Sequence, residues 1–173
     1  GFILAAKKYI DHKENKNIEG ENFYAREINK NVFLKAEALL KEHGLKKVHY
    51  YNEDSLKTNI QEADKFDVIL SHPPFGLKVK NSEGELGIKT NDGSNLFIQH
   101  VINSLKPNGR GAVIISNSFL SSLSKPAIAL RRYLIEECNL HAVLELPQKS
   151  FEGTSIGASV LFFEKGKKTS EIK

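Results

Sequence analysis

The residues best suited to chemistry lie between Phe66 and Gly76, in the run His72-Pro73-Pro74-Phe75. Two successive prolines fix two backbone φ angles and lack N–H donors, so this loop is stiff and leaves carbonyl oxygens free to accept hydrogen bonds. Phe75 is expected to be exposed on this rigid ledge. An aromatic face beside free carbonyls can hold a planar base flipped out of its stack and accept protons from its amino group. The structural alternative is a diproline turn with Phe75 in the core.

Two acidic residues also follow short apolar segments. Glu27 ends a predicted strand and precedes a helix, where a carboxylate can accept both hydroxyls of a ribose. The alternative is a first-turn glutamate that stabilises the helix N-terminus. Asp54 follows another predicted strand and can accept a hydrogen bond from an adenine amino group, or else serve as a turn or cap aspartate. Glu27, Asp54 and residues 71–76 thus predict three polar clusters at strand exits.

Apolar strands alternate with amphipathic helices along the chain, which predicts an α/β, doubly wound and mostly parallel sheet with helices on both faces. Ligands of such sheets bind beyond the carboxyl ends of the strands, where the polar clusters fall. The predicted strands are residues 22–27, 48–51, 66–70, 111–115, 141–146 and 158–163, and the predicted helices are residues 2–10, 30–43, 95–105 and 125–138.

Two polar segments stand outside this pattern. Residues 78–93 are rich in Lys, Asn, Ser, Glu and Gly, which is typical of a long surface loop. The chain ends in a Lys-rich segment that we interpret as a solvated tail. We therefore predict one domain over residues 1–166 and a basic tail over residues 167–173.

Composition narrows the class of protein. The chain has 173 residues, 25 basic against 21 acidic side chains and a formal charge of +4, consistent with an anionic partner. It has no apolar run near the roughly 20 residues that a bilayer requires, so no membrane contact is expected. The single cysteine, Cys138, excludes an internal disulfide and favours a reducing compartment, the cytoplasm. The histidines lack metal-ligand spacing, and we predict no metal site.

The diproline run resembles the catalytic motif of amino-methylating methyltransferases, Asn/Asp/Ser-Pro-Pro-Tyr/Phe. Its setting is similar to the modification (M) subunit of type I restriction-modification systems, which are N6-adenine DNA methyltransferases. Six other stretches resemble the same family in the same order: Gly1-Phe2-Ile3, Ala25–Asn29, Asn52–Leu56, Asn95–His100, Leu105–Arg110 and Leu140–Phe151.

The resemblance implies a cofactor, a substrate and partners. S-adenosylmethionine would be bound with Glu27 on the ribose and Asp54 and Ser55 near the adenine ring, and Gly1 would end the glycine-rich cofactor loop. Phe75 would stack on the flipped adenine, and the Pro73 neighbourhood would polarise N6 through backbone carbonyls. Double-stranded DNA and the specificity and restriction subunits of a type I complex would be the partners.

Two departures from the family pattern shape the expectations. His72 stands where the family has Asn or Asp, and a neutral imidazole offers a single acceptor nitrogen. The resemblance also implies that the Rossmann-like sheet lacks its first strand at the N-terminus, which leaves two neighbouring strands without partners. Two alternatives stay open: a truncated or degenerate scaffold without catalysis, and a methyltransferase that acts on protein glutamine or RNA adenine.

Overall fold

The computed structural model describes residues 1–15, 17–57, 63–151 and 153–173, which fall into two units, Gly1–Thr58 and Asn59–Lys173. The first unit contains α1 (Phe2–Glu14), β1 (Tyr24–Arg26), α2 (Lys30–Glu42), β2 (His49–Tyr51) and a 3-10 turn (Ser55–Lys57). The second contains β3 (Phe66–Ser71), β4 (Lys78–Glu83), β5 (Lys89–Asp92), α3 (Gly93–Ser104), β6 (Leu105–Ser116), α4 (Asn117–Ser121), α5 (Lys125–Glu136), β7 (Cys138–Glu145) and β8 (Ala158–Lys165).

A β-α-β arrangement organises the first unit. β1 and β2 pair in parallel, and α2 connects them. The Asn29 side chain accepts hydrogen bonds from two backbone N–H groups in the first turn of α2, which explains why the helix begins there. Gly44 follows the helix with a φ of +79°, a left-handed conformation that glycine adopts without strain. Leu40 and Leu45 are its buried large apolar side chains among the described residues.

A four-stranded sheet organises the second unit, in the order β3-β6-β8-β7. β3 and β6 are parallel, and β8 runs antiparallel to both of its neighbours. β3, β6 and β7 therefore run in one direction and only β8 is reversed. This confirms an α/β fold with a sheet in which three of four strands share one direction, and β1 and β2 of the first unit are also parallel.

The core of the second unit joins α3 and α5 to the sheet. Gly111 on β6 faces Phe163 on β8, and a Cβ at Gly111 would lie 2.5 Å from the Phe163 ring, so only glycine fits there. The fully buried side chains include Ile98, Ile102, Leu105, Ile115, Leu130, Leu134, Leu161 and Phe163. β3 and β6, which lead to the diproline run and to α4, are thus held by a continuous apolar cluster.

The expectation of a long surface loop over residues 78–93 was wrong. β4 and β5 form an antiparallel hairpin there, and the Asp92 side chain caps α3, so this helix begins at Gly93. The sequence pattern missed the hairpin because its order comes from contacts with α3. Leu86 and Ile88, in its turn, pack against the apolar core.

The C-terminal residues are bonded to β7. The Thr169 hydroxyl donates to the Cys138 carbonyl at 2.9 Å and accepts from the Leu140 N–H at 2.9 Å. Lys173 donates its backbone N–H to the His141 carbonyl at 3.0 Å. These bonds tie the end of the chain to β7, while residues 166–173 are exposed apart from the half-buried Thr169, and the division at residue 166 stays a prediction. In the described part of the chain, no helix has the length and apolar character needed to cross a membrane.

Candidate functional site

Glu27 lies directly after β1, at the exit from the first strand of its sheet. Its backbone N–H donates to the Tyr51 carbonyl at 3.1 Å, which extends the pairing with β2 by one residue. Its carboxylate oxygen Oε1 accepts from the Asn29 N–H at 2.7 Å. The side chain is half-buried. Glu27 is thus fixed from both its backbone and its carboxylate, at the N-terminal end of α2.

Asn52 ties the two strand exits of the first unit together. Its side-chain amide donates to the Glu27 carbonyl at 2.7 Å and to the Ile28 carbonyl at 3.1 Å. Sequence reasoning placed Asn52 in a matching stretch without giving it a role. Its position directly after a strand could have indicated this role, because an asparagine side chain there can hydrogen-bond the backbone of a neighbouring turn.

Asp54 and Ser55 form the turn that follows β2. Asp54 Oδ1 accepts from the Leu56 N–H at 3.0 Å, and its Oδ2 lies 3.6 Å from the Lys57 ammonium. Asp54 thus makes a turn bond of the kind the alternative predicts, and Ser55 is the first residue of the 3-10 turn. Each carboxylate oxygen has two lone pairs, so Asp54 retains acceptor capacity beyond this turn.

The electrostatics of this unit centre on Tyr50. Burial raises the pKa of the Tyr50 phenol, and the negative charges of Glu27 and Glu37 raise this pKa further. Tyr50 therefore stays a neutral hydrogen-bonding group beside Glu27. Gly1 precedes α1 as its N-cap residue and is exposed, and a Cβ there would meet no atom within 4 Å. The structure gives no steric reason for a glycine at this position.

The diproline corner, residues 72–76, follows β3 in the second unit. Pro73 is buried and anchors the corner, whereas Pro74 is exposed and Phe75 is half-buried. Gly76 turns the chain with a φ of +72°, and the next residue, Leu77, accepts a hydrogen bond from the Gly93 N–H at 2.8 Å. The corner is thus fixed to β3 on one side and to the start of α3 on the other.

Three aromatic rings meet at the corner: those of His72, Phe75 and Phe151, which we call the ring cluster. The ring centroids of His72 and Phe75 lie 5.3 Å apart, those of His72 and Phe151 4.7 Å, and those of Phe75 and Phe151 5.5 Å. His72 is exposed, yet its partial burial lowers the pKa of the imidazole and favours the neutral ring. The expectation of an exposed Phe75 holds only in part, because this ring is half-buried within the cluster.

Phe151 is the functional candidate that sequence reasoning missed. It ended a matching stretch, but no local signal linked it to His72 across the intervening sequence. The segment that carries it is held at its ends by backbone hydrogen bonds, from Leu146 N–H to the Ala158 carbonyl at 2.9 Å and from Asn117 N–H to the Gly157 carbonyl at 2.8 Å.

Asn117 adds side-chain bonds to the same ends. Its amide donates to Glu145 Oε1 at 3.3 Å, and its carbonyl oxygen accepts from the buried Ser159 hydroxyl at 2.8 Å. Asn117 therefore joins the exit of β6 to the exit of β7 and the start of β8.

Comparison with known proteins gives a consistent set of relatives. The profile of the N-6 DNA methylase family matches residues 1–173. The methylase subunit of the type I restriction enzyme EcoEI from Escherichia coli is 33% identical over 138 residues, 75% of this chain and 28% of that subunit. A structure from a study of complex assembly and conformational transition of the type I R-M system has a TM-score of 0.89 at 26% identity, covering 99% of this chain and 37% of that chain.

The fold is shared more widely. A structure described as a class I S-adenosylmethionine-dependent methyltransferase from Listeria monocytogenes has a TM-score of 0.78 at 16% identity, covering 98% of this chain and 53% of that chain. The methyltransferase fold predicted from the sequence is confirmed, as is the resemblance to type I modification subunits. The chain spans 22% and 28% of the first two curated relatives, so it matches less than a third of their length.

Proposed function

The chain belongs to the N-6 DNA methylase family, and we propose on this premise that it is the part of a type I modification subunit that methylates N6 of adenine in DNA. The observation that carries the proposal is the diproline corner after β3, where Phe75 lies beside His72 on a stiff turn. An aromatic ring fixed in this way suits the stacking of an extruded base.

The first unit is proposed to bind the adenosine half of S-adenosylmethionine. This cofactor supplies a methyl group on a positively charged sulfur, which makes the methyl carbon electrophilic. Glu27 would accept hydrogen bonds from the ribose hydroxyls, because its carboxylate is already oriented by the Asn29 N–H. Asp54 and Ser55 would lie near the adenine, although one Asp54 oxygen is engaged in its own turn. The carboxylates fit the hydroxyl and amino donors of adenosine. Gly1 is retained as a prediction for the same cofactor.

The corner would hold the target base and its amino group. Among the described residues, no backbone N–H donates to the carbonyls of His72 or Pro73, so these oxygens can accept hydrogen bonds from N6. Such bonds increase the electron density at N6 as this nitrogen attacks the methyl carbon. Stacking on Phe75 would restrict the orientation of the base. The chain would therefore accelerate methyl transfer by positioning the reactants and by hydrogen bonding, without a covalent enzyme intermediate.

His72 is the departure that bears on the rate. A neutral imidazole has one donor and one acceptor nitrogen, whereas asparagine presents a carbonyl oxygen and two N–H donors from a shorter side chain. The lowered pKa keeps the His72 ring neutral, so one nitrogen can accept from N6. We expect slower transfer than with asparagine, and His72→Asn should increase it.

The proposed partners are double-stranded DNA and the specificity and restriction subunits of a type I complex. The proposed partial methyltransferase domain spans residues 1–166, and residues 167–173 form its tail. We propose the cytoplasm as the location, since the one cysteine, Cys138, is a buried free thiol. The scaffold without catalysis and the methylation of protein glutamine or RNA adenine remain the alternatives that the experiment must separate.

Calorimetric titration with S-adenosylmethionine tests the cofactor site. Glu27→Gln should weaken binding at least about 10-fold, since a charged acceptor of hydrogen bonds contributes roughly 1.5–3 kcal/mol. Glu42→Gln, an exposed change on α2, is the matched control and should leave the affinity unaltered. Absence of any binding heat would favour the scaffold.

Transfer of a radiolabelled methyl group tests the substrate. Adenine-containing duplex DNA should accept label, more strongly with His72→Asn, whereas RNA and glutamine peptides should not. Equal labelling of RNA or peptide would support the rival substrates, and an unlabelled duplex with both wild type and His72→Asn would contradict the assignment of the corner.

A further inference from the structure

We propose that Lys149 binds the phosphate backbone of the DNA strand whose adenine is methylated, and so holds the extruded nucleotide at the diproline corner. The inference rests on the proposed function, because it takes DNA as the substrate. It goes beyond that function by naming a residue outside the corner that contacts the DNA backbone.

The backbone of Lys149 has a conformation that is unusual for its residue type. Among the described residues, four that are not glycine have a positive φ: Asn15, Asp64, Asn108 and Lys149. Asparagine and aspartate tolerate this left-handed region because their short polar side chains can bond the local backbone, whereas lysine has no such compensation. Lys149 has a φ of 63°. The chain therefore carries a lysine where the backbone conformation disfavours it.

The turn that contains Lys149 is closed by two hydrogen bonds. The Pro147 carbonyl accepts from the Ser150 N–H at 3.3 Å and from the Ser150 hydroxyl at 2.6 Å. Lys149 is the third residue of this turn, a position where a positive φ favours glycine or asparagine. Glycine would form the same turn without strain, so the geometry of the turn does not explain the lysine.

The turn lies at the same edge of the sheet as the diproline corner. β7 leads into it from Glu145, and β3 and β6, which run in the same direction as β7, lead to His72 and Asn117. Phe151 comes two residues after Lys149, and its ring centroid lies 4.7 Å from that of His72. Lys149 is therefore close to the ring cluster, where the base is proposed to stack.

The ammonium group of Lys149 can accept an anion as its partner. The residue is exposed, and no carboxylate that the structure describes forms an ion pair with it. Glu145, which precedes the turn, accepts instead from the Asn117 amide at 3.3 Å. An adenine leaves the duplex by rotation about its own backbone, so the flanking phosphates stay next to the extruded base. A lysine there would position the strand without reading its sequence.

Fluorescence anisotropy of a labelled, adenine-containing duplex with the full chain tests the proposal over a series of salt concentrations. Loss of one phosphate contact lowers the slope of log Kd against log salt by about 0.9. Lys149→Gly and Lys149→Gln should each show this loss and weaken binding, whereas Lys149→Arg should retain both. Lys168→Gln is the matched control, because this exposed lysine follows the end of β8 at the opposite edge of the sheet, and it should leave the slope unchanged.

Urea unfolding of the same variants separates a binding role from a structural one. Lys149→Gly should raise the equilibrium constant for folding about 2- to 5-fold, since glycine removes the left-handed cost and adds a smaller entropic cost. Lys149→Gln should leave this constant nearly unaltered, because glutamine has the same backbone restriction. Greater stability together with weaker DNA binding in Lys149→Gly is the combination that the proposed contact predicts.

The outcomes distinguish this proposal from the proposed function. Duplex binding by the wild type with an unchanged salt slope in Lys149→Gly and Lys149→Gln would overturn the phosphate contact and leave the proposed function standing. An equal drop in slope for Lys168→Gln would reveal an effect of net charge alone and would also overturn the contact. A less stable Lys149→Gly would overturn the argument from backbone conformation. No duplex binding by the wild type would contradict the proposed function and the contact together.

Discussion

Replacement of Gln99 by leucine should release the β4–β5 hairpin that continues from the diproline corner. Gln99 is fully buried in α3. Its Oε1 accepts from the N–H groups of Leu86 at 3.3 Å and Ile88 at 3.2 Å, and its Nε2 donates to the Ile88 carbonyl at 3.0 Å. A Cβ at Gly84 would lie 2.2 Å from the same amide, so the hairpin turn is closely fitted to it.

The expected cost follows from these three bonds. A buried polar group that loses its partner costs about 1–3 kcal/mol. Leu86 and Ile88 are half-buried, so water can replace part of the lost bonding. We therefore expect the free energy of unfolding of the second unit to fall by about 2–4 kcal/mol in Gln99→Leu. The exposed Gln148→Leu is the matched control and should change it by less than about 0.5 kcal/mol.

Urea unfolding combined with amide hydrogen exchange measures both the global and the local effect. Exchange at Leu86 and Ile88 should accelerate in Gln99→Leu more than exchange in β6 or β8, because the partners of the Gln99 amide within the described residues lie in the hairpin turn. Unchanged stability together with unchanged protection of these two amides would refute the reasoning. A uniform loss of protection throughout the sheet would mean that Gln99 supports the core and not the hairpin in particular.

Three further predictions concern other groups. The pKa of His72, measured by a pH titration of its ring signals, should lie below 6.5. It should move back towards that value in Phe151→Leu, and an unchanged pKa in this variant would show that Phe151 does not contribute to the burial of His72. Because this pKa is lowered, the stability contributed by the neutral ring should be complete above pH 6.5 and be lost as the pH falls through the folded-state pKa, which thermal unfolding at several pH values can follow. Lys165→Met should lower the free energy of unfolding, measured with urea, by about 1–3 kcal/mol. The reason is that Lys165 Nζ donates to the Leu105 carbonyl at 2.8 Å and to Asp64 Oδ1 at 2.8 Å. An equal effect from the exposed Lys167→Met would contradict this.

The strand exits could be predicted from the sequence because they depend on local patterns. Apolar runs ending in polar residues placed Glu27 after β1, Asp54 after β2 and His72 after β3, and the structure places each of them there. A strand or helix that buries one face carries apolar residues at regular intervals, and this periodicity can be detected in the sequence. Whether a polar residue also bonds its own turn depends on backbone geometry, and Asp54 does so through Oδ1, while its role toward the adenine stays a prediction.

The hairpin and the ring cluster could not be predicted because distant residues create them. By composition, the polar segment 78–93 resembles a loop. It forms a hairpin because the buried amide of Gln99 makes hydrogen bonds with backbone groups of its turn. Phe151 reaches His72 only because β7 and β3 belong to the same sheet, with β6 and β8 between them. A single sequence carries no record of such pairings. The prediction of an exposed Phe75 failed in part for the same reason.

The two units fix their functional residues by different means. Among the described residues of the first unit, only Leu40 and Leu45 are buried large apolar side chains, whereas α3, α5 and the sheet of the second unit share an extended core. Glu27 is consequently positioned by hydrogen bonds, from the Asn29 N–H and through its own backbone to Tyr51, with Asn52 bonding its carbonyl. A few hydrogen bonds hold Glu27 only weakly. A ligand that adds bonds at Glu27 should therefore raise the free energy of unfolding of the first unit measurably. The diproline corner rests on the core of the second unit and should keep its geometry whether or not the cofactor is bound.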